Sequence, residues 1–196
     1  IDDGNLFVQP TLVGGKTTKI DQRRLFAVGT PGQPNADGLS GFVADTTFTV
    51  GRGFFNAEFE EIITTTTPGT TLAYTLDGSA PTLRNGIQVQ AADEQSRPEA
   101  RIVIDQTTVL RAAAFRDGFL PANVNTQTYL FAEDINRQPE MDPEVVFDPV
   151  YEGLVSAGLQ SLPALSFVMD KDDLFGPQGI YTNPHERGRE WERPLS

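Results

Sequence analysis

Tyr74-Thr75-Leu76-Asp77-Gly78-Ser79-Ala80-Pro81-Thr82 forms the centre of the clearest pattern in this sequence, a strand followed by a tight turn. Leu72, Tyr74 and Leu76 alternate with the smaller Ala73 and Thr75, so the larger side chains share one face of a strand. Asp77-Gly78 then turns the chain, because aspartate accepts hydrogen bonds from nearby amides and glycine adopts a positive φ angle. The segment therefore predicts a β-sheet with one apolar face.

Short strand patterns separated by turn signals extend over residues 47–131. About seven such strands, with a turn every ~8–12 residues, are typical of an immunoglobulin-like or fibronectin-like β-sandwich. We predict a mainly β protein in which the sandwich occupies residues 41–132, with an N-terminal β remnant and a short C-terminal α/β extension. The clearest strand patterns are residues 47–50, 58–66, 72–76, 102–104, 110–114 and 125–131.

Two stretches inside the sandwich depart from simple alternation. Glu61 occupies an apolar phase of the strand at residues 58–66, which predicts an edge strand or a bulge there. Residues 84–101 are polar, and we expect a connection that tolerates insertions. Neither departure changes the predicted fold class.

The segment before the sandwich combines short apolar runs with a linker. Residues 6–8, 11–13 and 24–28 are predicted to be terminal strands. Residues 30–38 carry repeated prolines and glycines, which interrupt regular structure. We therefore assign residues 1–40 to the end of a preceding domain and its linker.

The pattern changes after Ala132. Asp142-Pro143 and Asp148-Pro149 each combine an acidic cap with a proline in the first helical turn. Apolar residues at helical spacing predict a helix at 150–159, and a strand at 164–169 and an acidic loop at 170–173 should follow it. A helix followed by a strand is typical of the entrance to a mixed α/β domain.

The two ends of the sequence indicate a fragment of a longer protein. The chain opens on Ile1 rather than on Met and stops at Ser196 inside an unfinished pattern. We therefore expect residues 133–196 to be the truncated start of a further domain. Any export signal would lie upstream of this chain.

Composition limits the classes of partner. The 15 Lys and Arg residues face 27 Asp and Glu residues, and the net charge of -12 repels nucleic acid phosphates and anionic lipid headgroups. No stretch approaches the ~18 consecutive apolar residues that a membrane span requires. The lack of cysteine excludes disulfides, thiolate zinc sites and a cysteine nucleophile within this segment. We predict no nucleic acid partner, no membrane span in this segment and no cofactor.

Two motifs imitate catalytic sites. Val13-Gly14-Gly15-Lys16-Thr17-Thr18 is similar to the end of a phosphate-binding loop, but Pro10 stands where that pattern needs its first glycine. His185 is the only histidine, and no Gly-x-Ser-x-Gly nucleophile turn accompanies it. We interpret the first as a surface turn and the second as an exposed loop residue, so no catalytic residue is predicted.

The candidate ligand-binding residues are Asp77, Ser79 and Thr82 at the central turn and Trp191 near the C-terminus. Loops carry many binding residues, and an indole ring offers a flat face on which a sugar can stack. A purely structural turn is the alternative for the first three residues, and core packing is the alternative for aromatic residues. Tyr74, Phe54 and Phe119 offer further flat faces for sugar stacking, with the same alternative of core packing.

Asp170, Asp172 and Asp173 are weak candidates for a calcium site. Clustered carboxylates repel each other, and a divalent cation relieves that repulsion. Their spacing does not match a helix-loop-helix calcium loop, because Leu174 and Phe175 stand where an oxygen ligand and glycine are needed. Solvated turn carboxylates are the alternative, and no metal is predicted.

The central segment resembles a known family. Residues 67–82, with Thr107-Thr108-Val109-Leu110-Arg111-Ala112-Ala113-Ala114-Phe115 and Gly118, are similar to the chitobiase/β-hexosaminidase C-terminal domain family over residues 53–131. This resemblance implies a fibronectin-like sandwich that serves as an accessory domain in bacterial surface and carbohydrate-active proteins. It supplies no catalytic residues.

Both flanks carry shorter resemblances. Residues 24–35, Arg24-Leu25-Phe26-Ala27-Val28-Gly29-Thr30-Pro31-Gly32-Gln33-Pro34-Asn35, resemble the end of a lamin-tail domain. Residues 141–146, 162–166, 179–184 and 191–194 resemble the opening of spore-coat protein H (CotH) kinase-like domains. The resemblance places the kinase-like ligands beyond Ser196, so no kinase activity is expected of this segment.

These patterns lead to one functional prediction with two alternatives. We predict a non-catalytic spacer in a large exported or cell-surface bacterial protein, with neighbouring domains of the same chain as its partners. A carbohydrate-binding module, with glycan as partner, is the first alternative. A fragment of an atypical CotH-like kinase is the second.

Overall fold

The computed structural model describes residues 12–13, 16–17, 38–138 and 141–195. The strands in chain order are β1 (Leu12–Val13), β2 (Lys16–Thr17), β3 (Gly41–Phe42), β4 (Thr46–Phe48), β5 (Gly53–Phe55), β6 (Phe59–Thr65), β7 (Thr71–Thr75), β8 (Ile87–Gln90), β9 (Glu99–Ile104), β10 (Thr108–Phe115), β11 (Phe119–Leu120) and β12 (Asn125–Phe131). The helices are α1 (Ala132–Asn136), α2 (Pro143–Val146), α3 (Val155–Ser161) and α4 (Lys171–Phe175), followed by a 3-10 turn at Arg189–Trp191.

Two sheets form a β-sandwich, as the strand patterns predict. One sheet has the order β5-β12-β10-β7-β8, and the other has the order β4-β6-β9. Most neighbouring strands are antiparallel, with Tyr74 opposite Ala112 and Thr108 opposite Tyr129. The exceptions are β5 with β12 and β3 with β11, which run parallel. The mainly β class and the small helical extension are both confirmed.

The core lies between the two sheets. Ile63, Leu72, Leu110 and Tyr129 are fully buried, together with Ile104 at 2% exposure. Burying a leucine or isoleucine side chain contributes about 1.5–3 kcal/mol, so these positions dominate the stability of the sandwich. The predicted inward face of β7 is confirmed for Leu72 and Tyr74, whereas Leu76 lies past the end of the strand and is exposed.

Glu61 corrects one prediction. It lies in β6, which is the central strand of the three-stranded sheet and not an edge strand, and its side chain is fully buried. Glu61 Oε1 accepts a hydrogen bond from the amide of Thr49 (2.7 Å), and Oε2 accepts from the hydroxyl of Tyr129 (2.7 Å) and the amide of Val50 (3.2 Å). A buried carboxylate is tolerated because these donors replace water.

The polar stretch at residues 84–101 also differs from the prediction. It contains the edge strand β8 and the first residues of β9. Ile87 and Val89 alternate with glutamines in β8. Because of these glutamines, the sequence pattern predicted a polar connection and not a strand. Because one side of β8 has no neighbour among the described strands, an alternation this polar is tolerated there.

The extension after β12 is only partly as predicted. Asp142 caps α2 by accepting a hydrogen bond from the amide of Glu144 (2.9 Å). Asp148 accepts from the amide of Val150 (2.7 Å), but the helix α3 begins only at Val155. The strand predicted at 164–169 is wrong, because this segment pairs with no strand in the described part of the chain.

Residues 164–169 instead lie over the outer face of the five-stranded sheet. The Ser166 and Thr128 hydroxyls are 2.7 Å apart, and Val168 is buried. An extended segment can bury apolar side chains against a sheet face without forming backbone hydrogen bonds to a neighbouring strand. The apolar pattern is the same in both cases, and for this reason the sequence predicted a strand here.

At the N-terminal end, β1 and β2 pair in antiparallel fashion, which confirms a strand at Leu12–Val13. Lys16 lies in β2 and pairs with Val13, so the described residues of the phosphate-binding-loop imitation are strand residues. The strands predicted at 6–8 and 24–28 lie outside the described residues. None of the described helices has the length and apolar character needed to cross a membrane.

Candidate functional site

The turn after β7 is built by the Asp77 side chain. Gly78 has a φ of 78°, a conformation that glycine adopts without strain, and its amide donates to the Val109 carbonyl (3.0 Å). Asp77 Oδ1 accepts hydrogen bonds from the hydroxyl (2.6 Å) and the amide (3.0 Å) of Ser79. The Ser79 hydroxyl, and then its amide, hold the pKa of Asp77 below its ordinary value.

Ser79 and Thr82 are also engaged within the loop. Asn85 Nδ2 donates to Ser79 Oγ (3.1 Å), and Thr82 Oγ1 accepts from the amides of Asn85 (2.9 Å) and Arg84 (3.1 Å). Of the predicted ligand-binding residues, Asp77, Ser79 and Thr82 thus share one loop, where their polar atoms bind neighbouring backbone and side chains. This arrangement fits the structural alternative for the turn.

A cleft of about 600 Å³ lies between this turn and the C-terminal extension. Asp77 and Ser79 line one side, together with Arg111 of β10, whose Nη1 donates to the Gly78 carbonyl (3.1 Å). Asp170, Lys171 and Asp173 line the other side. The cleft is therefore lined by both carboxylates and cations.

Arg111 is a residue of this cleft that the sequence reasoning did not single out. Its Nε is buried and has no hydrogen-bond partner in the described part of the chain. A signal was available, because a charged residue between Leu110 and three alanines interrupts an otherwise apolar strand. Strand alternation places it on the face opposite the core.

The three candidate metal-binding aspartates occupy a helix start, not the predicted loop. Asp170 caps α4 by accepting from the amide of Asp172 (2.8 Å). Asp173 pairs with Arg193 Nε at 3.4 Å. The described residues include no group of three His, Cys, Asp or Glu side chains placed to hold a metal ion.

Trp191 lies apart from the central turn. It ends the 3-10 turn, and the Arg193 guanidinium lies over its ring at 5.6 Å. Arg193 also donates to the carbonyls of Glu190 (2.7 Å) and Gln178 (2.8 Å), so the ring packs on a fixed cation. Neither Trp191 nor Thr82 is among the described residues that line the cleft.

The other aromatic candidates have separate environments. Tyr74 is in the core, and burial raises the pKa of its hydroxyl. Phe119 packs beneath the Arg116 guanidinium at 4.8 Å, and Phe54 lines a separate groove beside the extension. His185 is exposed in a loop, as expected. These residues do not combine into one platform.

A comparison with protein families agrees with this architecture. Residues 62–129 match the family model described as Fn3 associated. The match runs from β6 to β12 and lies inside the segment for which the sequence indicated a fibronectin-like domain. It supports an accessory module of a multidomain protein. No curated protein matches the chain.

Proposed function

We propose that this chain is a non-catalytic spacer within a large exported or cell-surface bacterial protein, where it holds neighbouring domains in a fixed orientation. The observation that carries the proposal is the docking of the segment after the sandwich onto the sandwich itself. Thr128 bonds to Ser166, the Thr107 amide donates to Asp134 Oδ2 (2.6 Å), and Val168 is buried near the Asp77 turn. A following domain attached in this way is oriented by the sheet.

The flanking resemblances supply the neighbours in this proposal. The sandwich is a chitobiase/β-hexosaminidase C-terminal-like domain, preceded at residues 1–40 by the end of a lamin-tail-like domain and followed at 133–196 by the start of a CotH kinase-like domain. Apolar exposure in the extension supports the coverage of this segment by further protein, since Phe147 and Tyr181 are each 71% exposed and Leu165 is 83% exposed. Such side chains are typically covered in a complete domain.

Calorimetric titration of the 196-residue chain with chitin, cellulose and peptidoglycan fragments tests the spacer function. We expect no heat of binding, because the polar atoms of Asp77, Ser79 and Thr82 are engaged within their own loop. Saturable binding of any of these glycans at micromolar strength would contradict the proposal.

A carbohydrate-binding module is the second candidate, and the cleft beside Asp77 is the observation that favours it. Its size suits a small ligand, and Arg111 and Lys171 could donate hydrogen bonds to sugar hydroxyls. If a glycan does bind, Arg111→Ala should abolish the heat. Arg101→Ala is the matched control, because Arg101 forms surface ion pairs with Glu60 and Glu99 away from the cleft.

A further inference from the structure

Asn85 and Gly86 form the one Asn-Gly pair in the sequence. Asparagine is among the chemically labile residues of proteins, and a following glycine has no side chain to keep its nitrogen away from the asparagine Cγ. When the Gly86 nitrogen attacks this Cγ, an N–Cγ bond forms, the Cγ–Nδ2 bond breaks, and the Gly86 amide proton leaves with Nδ2 as ammonia. Water then opens the cyclic imide to aspartate or to β-linked isoaspartate. The reaction needs no other reactant.

The side-chain amide of Asn85 holds the loop after β7 closed. We call residues 77–86 the Asp77 loop. Asn85 Nδ2 donates to the Ala80 carbonyl (2.8 Å) and to Ser79 Oγ (3.1 Å). The backbone adds a bridge in which the Thr82 amide donates to the Asn85 carbonyl (2.9 Å). Asn85 thus joins the end of the loop to its first half.

The side-chain hydrogen bonds of the loop run in one direction. Asn85 Nδ2 donates to Ser79 Oγ, and Ser79 Oγ gives its only hydrogen to Asp77 Oδ1 (2.6 Å). An ionised carboxylate accepts hydrogen bonds and donates none. Deamidation would therefore turn acceptors towards the Ala80 carbonyl oxygen and Ser79 Oγ, and it would add a negative charge beside Asp77. Neither side-chain hydrogen bond of Asn85 survives that change.

The closed loop also slows the reaction. Both hydrogens of Asn85 Nδ2 are engaged, and Gly86 lies against β7, where an added Cβ would be 2.5 Å from the Tyr74 carbonyl oxygen. Ring closure requires Asn85 to release its acceptors and bring its Cγ onto the Gly86 nitrogen. Because Asn85 and Gly86 are exposed, the loop can open locally while the sandwich stays folded. Deamidation should therefore proceed from the open loop.

We propose that Asn85 is a modification site, at which spontaneous deamidation opens the Asp77 loop and releases the extension docked beside it. Gly78 of this loop lies next to Val168, since a Cβ at Gly78 would be 3.5 Å from Val168 Cγ1. Residues 77–80 line the same cleft as Val168 and Lys171. The consequence rests on the proposed spacer function, because the docked extension orients the following domain, whereas the chemistry of Asn85 does not depend on it. Since the change is irreversible, the orientation is fixed in new protein and lost in aged protein.

Peptide mapping by mass spectrometry, during incubation of the 196-residue chain in mildly alkaline buffer, tests the site. We expect deamidation of Asn85 in the folded protein, with aspartate and isoaspartate as products, and a several-fold faster reaction in urea. Ser79→Ala removes one acceptor of Asn85 Nδ2 and should accelerate the reaction several-fold in buffer but not in urea. Ser96→Ala is the matched control and should not change the rate, because Ser96 Oγ donates to Asp93 Oδ1 (2.7 Å) in a different loop.

Three results of this experiment would overturn the proposal. They are an intact Asn85 in the folded chain after the unfolded chain has reacted, equal rates in buffer and in urea, and an unchanged rate in Ser79→Ala.

Hydrogen exchange measures the release of the extension. Asn85→Asp reproduces the aspartate product, and we expect exchange within residues 164–169 to rise several-fold while β10 and β12 keep their protection. Wild-type chain that has fully deamidated at Asn85 is a second sample and should show the same rise. Gln90→Glu adds an equal charge at an exposed residue of β8 and should leave the exchange unchanged. Unchanged exchange within 164–169 in Asn85→Asp, or an equal rise in Gln90→Glu, would contradict the release.

The outcome is separable from that of the spacer function. No deamidation of the folded chain, combined with no heat in the glycan titrations, would reject the modification site and leave the spacer intact. Deamidation with release, combined with glycan binding by the unmodified chain, would support the modification site and reject the spacer as the sole function.

Discussion

Replacement of Glu61 by alanine tests the reasoning about the core most directly. Glu61 is fully buried in β6, and its carboxylate accepts hydrogen bonds from Thr49, Val50 and Tyr129. Alanine leaves the amide of the half-buried Val50 without its acceptor, whereas water can reach the more exposed Thr49. A hydrogen bond to a charged group contributes about 1.5–3 kcal/mol, and the cavity adds to its loss, so we expect destabilisation by about 2–4 kcal/mol.

Urea unfolding followed by circular dichroism measures this effect. The slope of the free energy of unfolding against urea concentration should be the same for the variant and the wild type, which shows that both undergo the same unfolding transition. Glu60→Ala is the matched control, because the neighbouring carboxylate is half exposed and pairs with Arg101 on the surface. It should change the free energy of unfolding by no more than about 0.5 kcal/mol.

Glu61→Gln separates the charge from the volume of this side chain. The amide keeps one oxygen but presents a donor where a second acceptor is needed, so we expect an intermediate destabilisation of about 1–2 kcal/mol. Tyr129→Phe should be less than additive with Glu61→Gln, because the two side chains share one hydrogen bond. A Glu61→Ala variant as stable as Glu60→Ala would refute the account of the buried carboxylate.

Three further predictions concern the loops and the extension. Asp77→Ala should lower stability near neutral pH. Because the folded-state pKa of Asp77 is depressed by Ser79, the difference from wild type should disappear as the pH falls through that lowered pKa, as measured by urea unfolding across a pH series. Gly86→Ala should destabilise the β7–β8 connection by about 2 kcal/mol or more, since φ is +99° and the new Cβ would lie 2.5 Å from the Tyr74 carbonyl oxygen; a thermal melt with an unchanged midpoint would contradict this. Val168→Asp should accelerate proteolysis and hydrogen exchange within 141–195 while the sandwich keeps its urea midpoint, and equal protection of both regions would contradict the docking described above.

The sandwich was predictable where one face of a strand is buried and the other is polar. Residues 125–131 and the inward alternation around Tyr74 followed from that rule. The central position of β6 did not, because a glutamate in an apolar phase normally indicates exposure. Only the fold brings Thr49, Val50 and Tyr129, up to 68 residues away, to this carboxylate.

The extension and the site were less accessible to sequence reasoning. A strand pattern at 164–169 and a docked extended segment contain similar residues, and only a partner strand distinguishes them. The Asp77 turn was located correctly, but its cleft was not foreseen, because Arg111 and Lys171 come from distant parts of the chain. Sequence proximity identifies a turn, whereas a cleft depends on tertiary contacts.

The parallel pairing of β3 with β11 and of β5 with β12 also affects how the protein acquires its structure during synthesis. The ribosome releases residues 40–55 before the rest of the sandwich. The hydrogen-bond partners of Arg52 and Val50 are Gln127 and Tyr129, which follow 75 and 79 positions later in the chain. β4 meets its neighbour β6 early, but β5 must stay without its parallel neighbour β12 until almost the whole sandwich has emerged, and contacts this distant in sequence slow folding. A nascent chain halted before Asn125 should consequently remain open to proteases and chaperones, and closure should coincide with the release of β12.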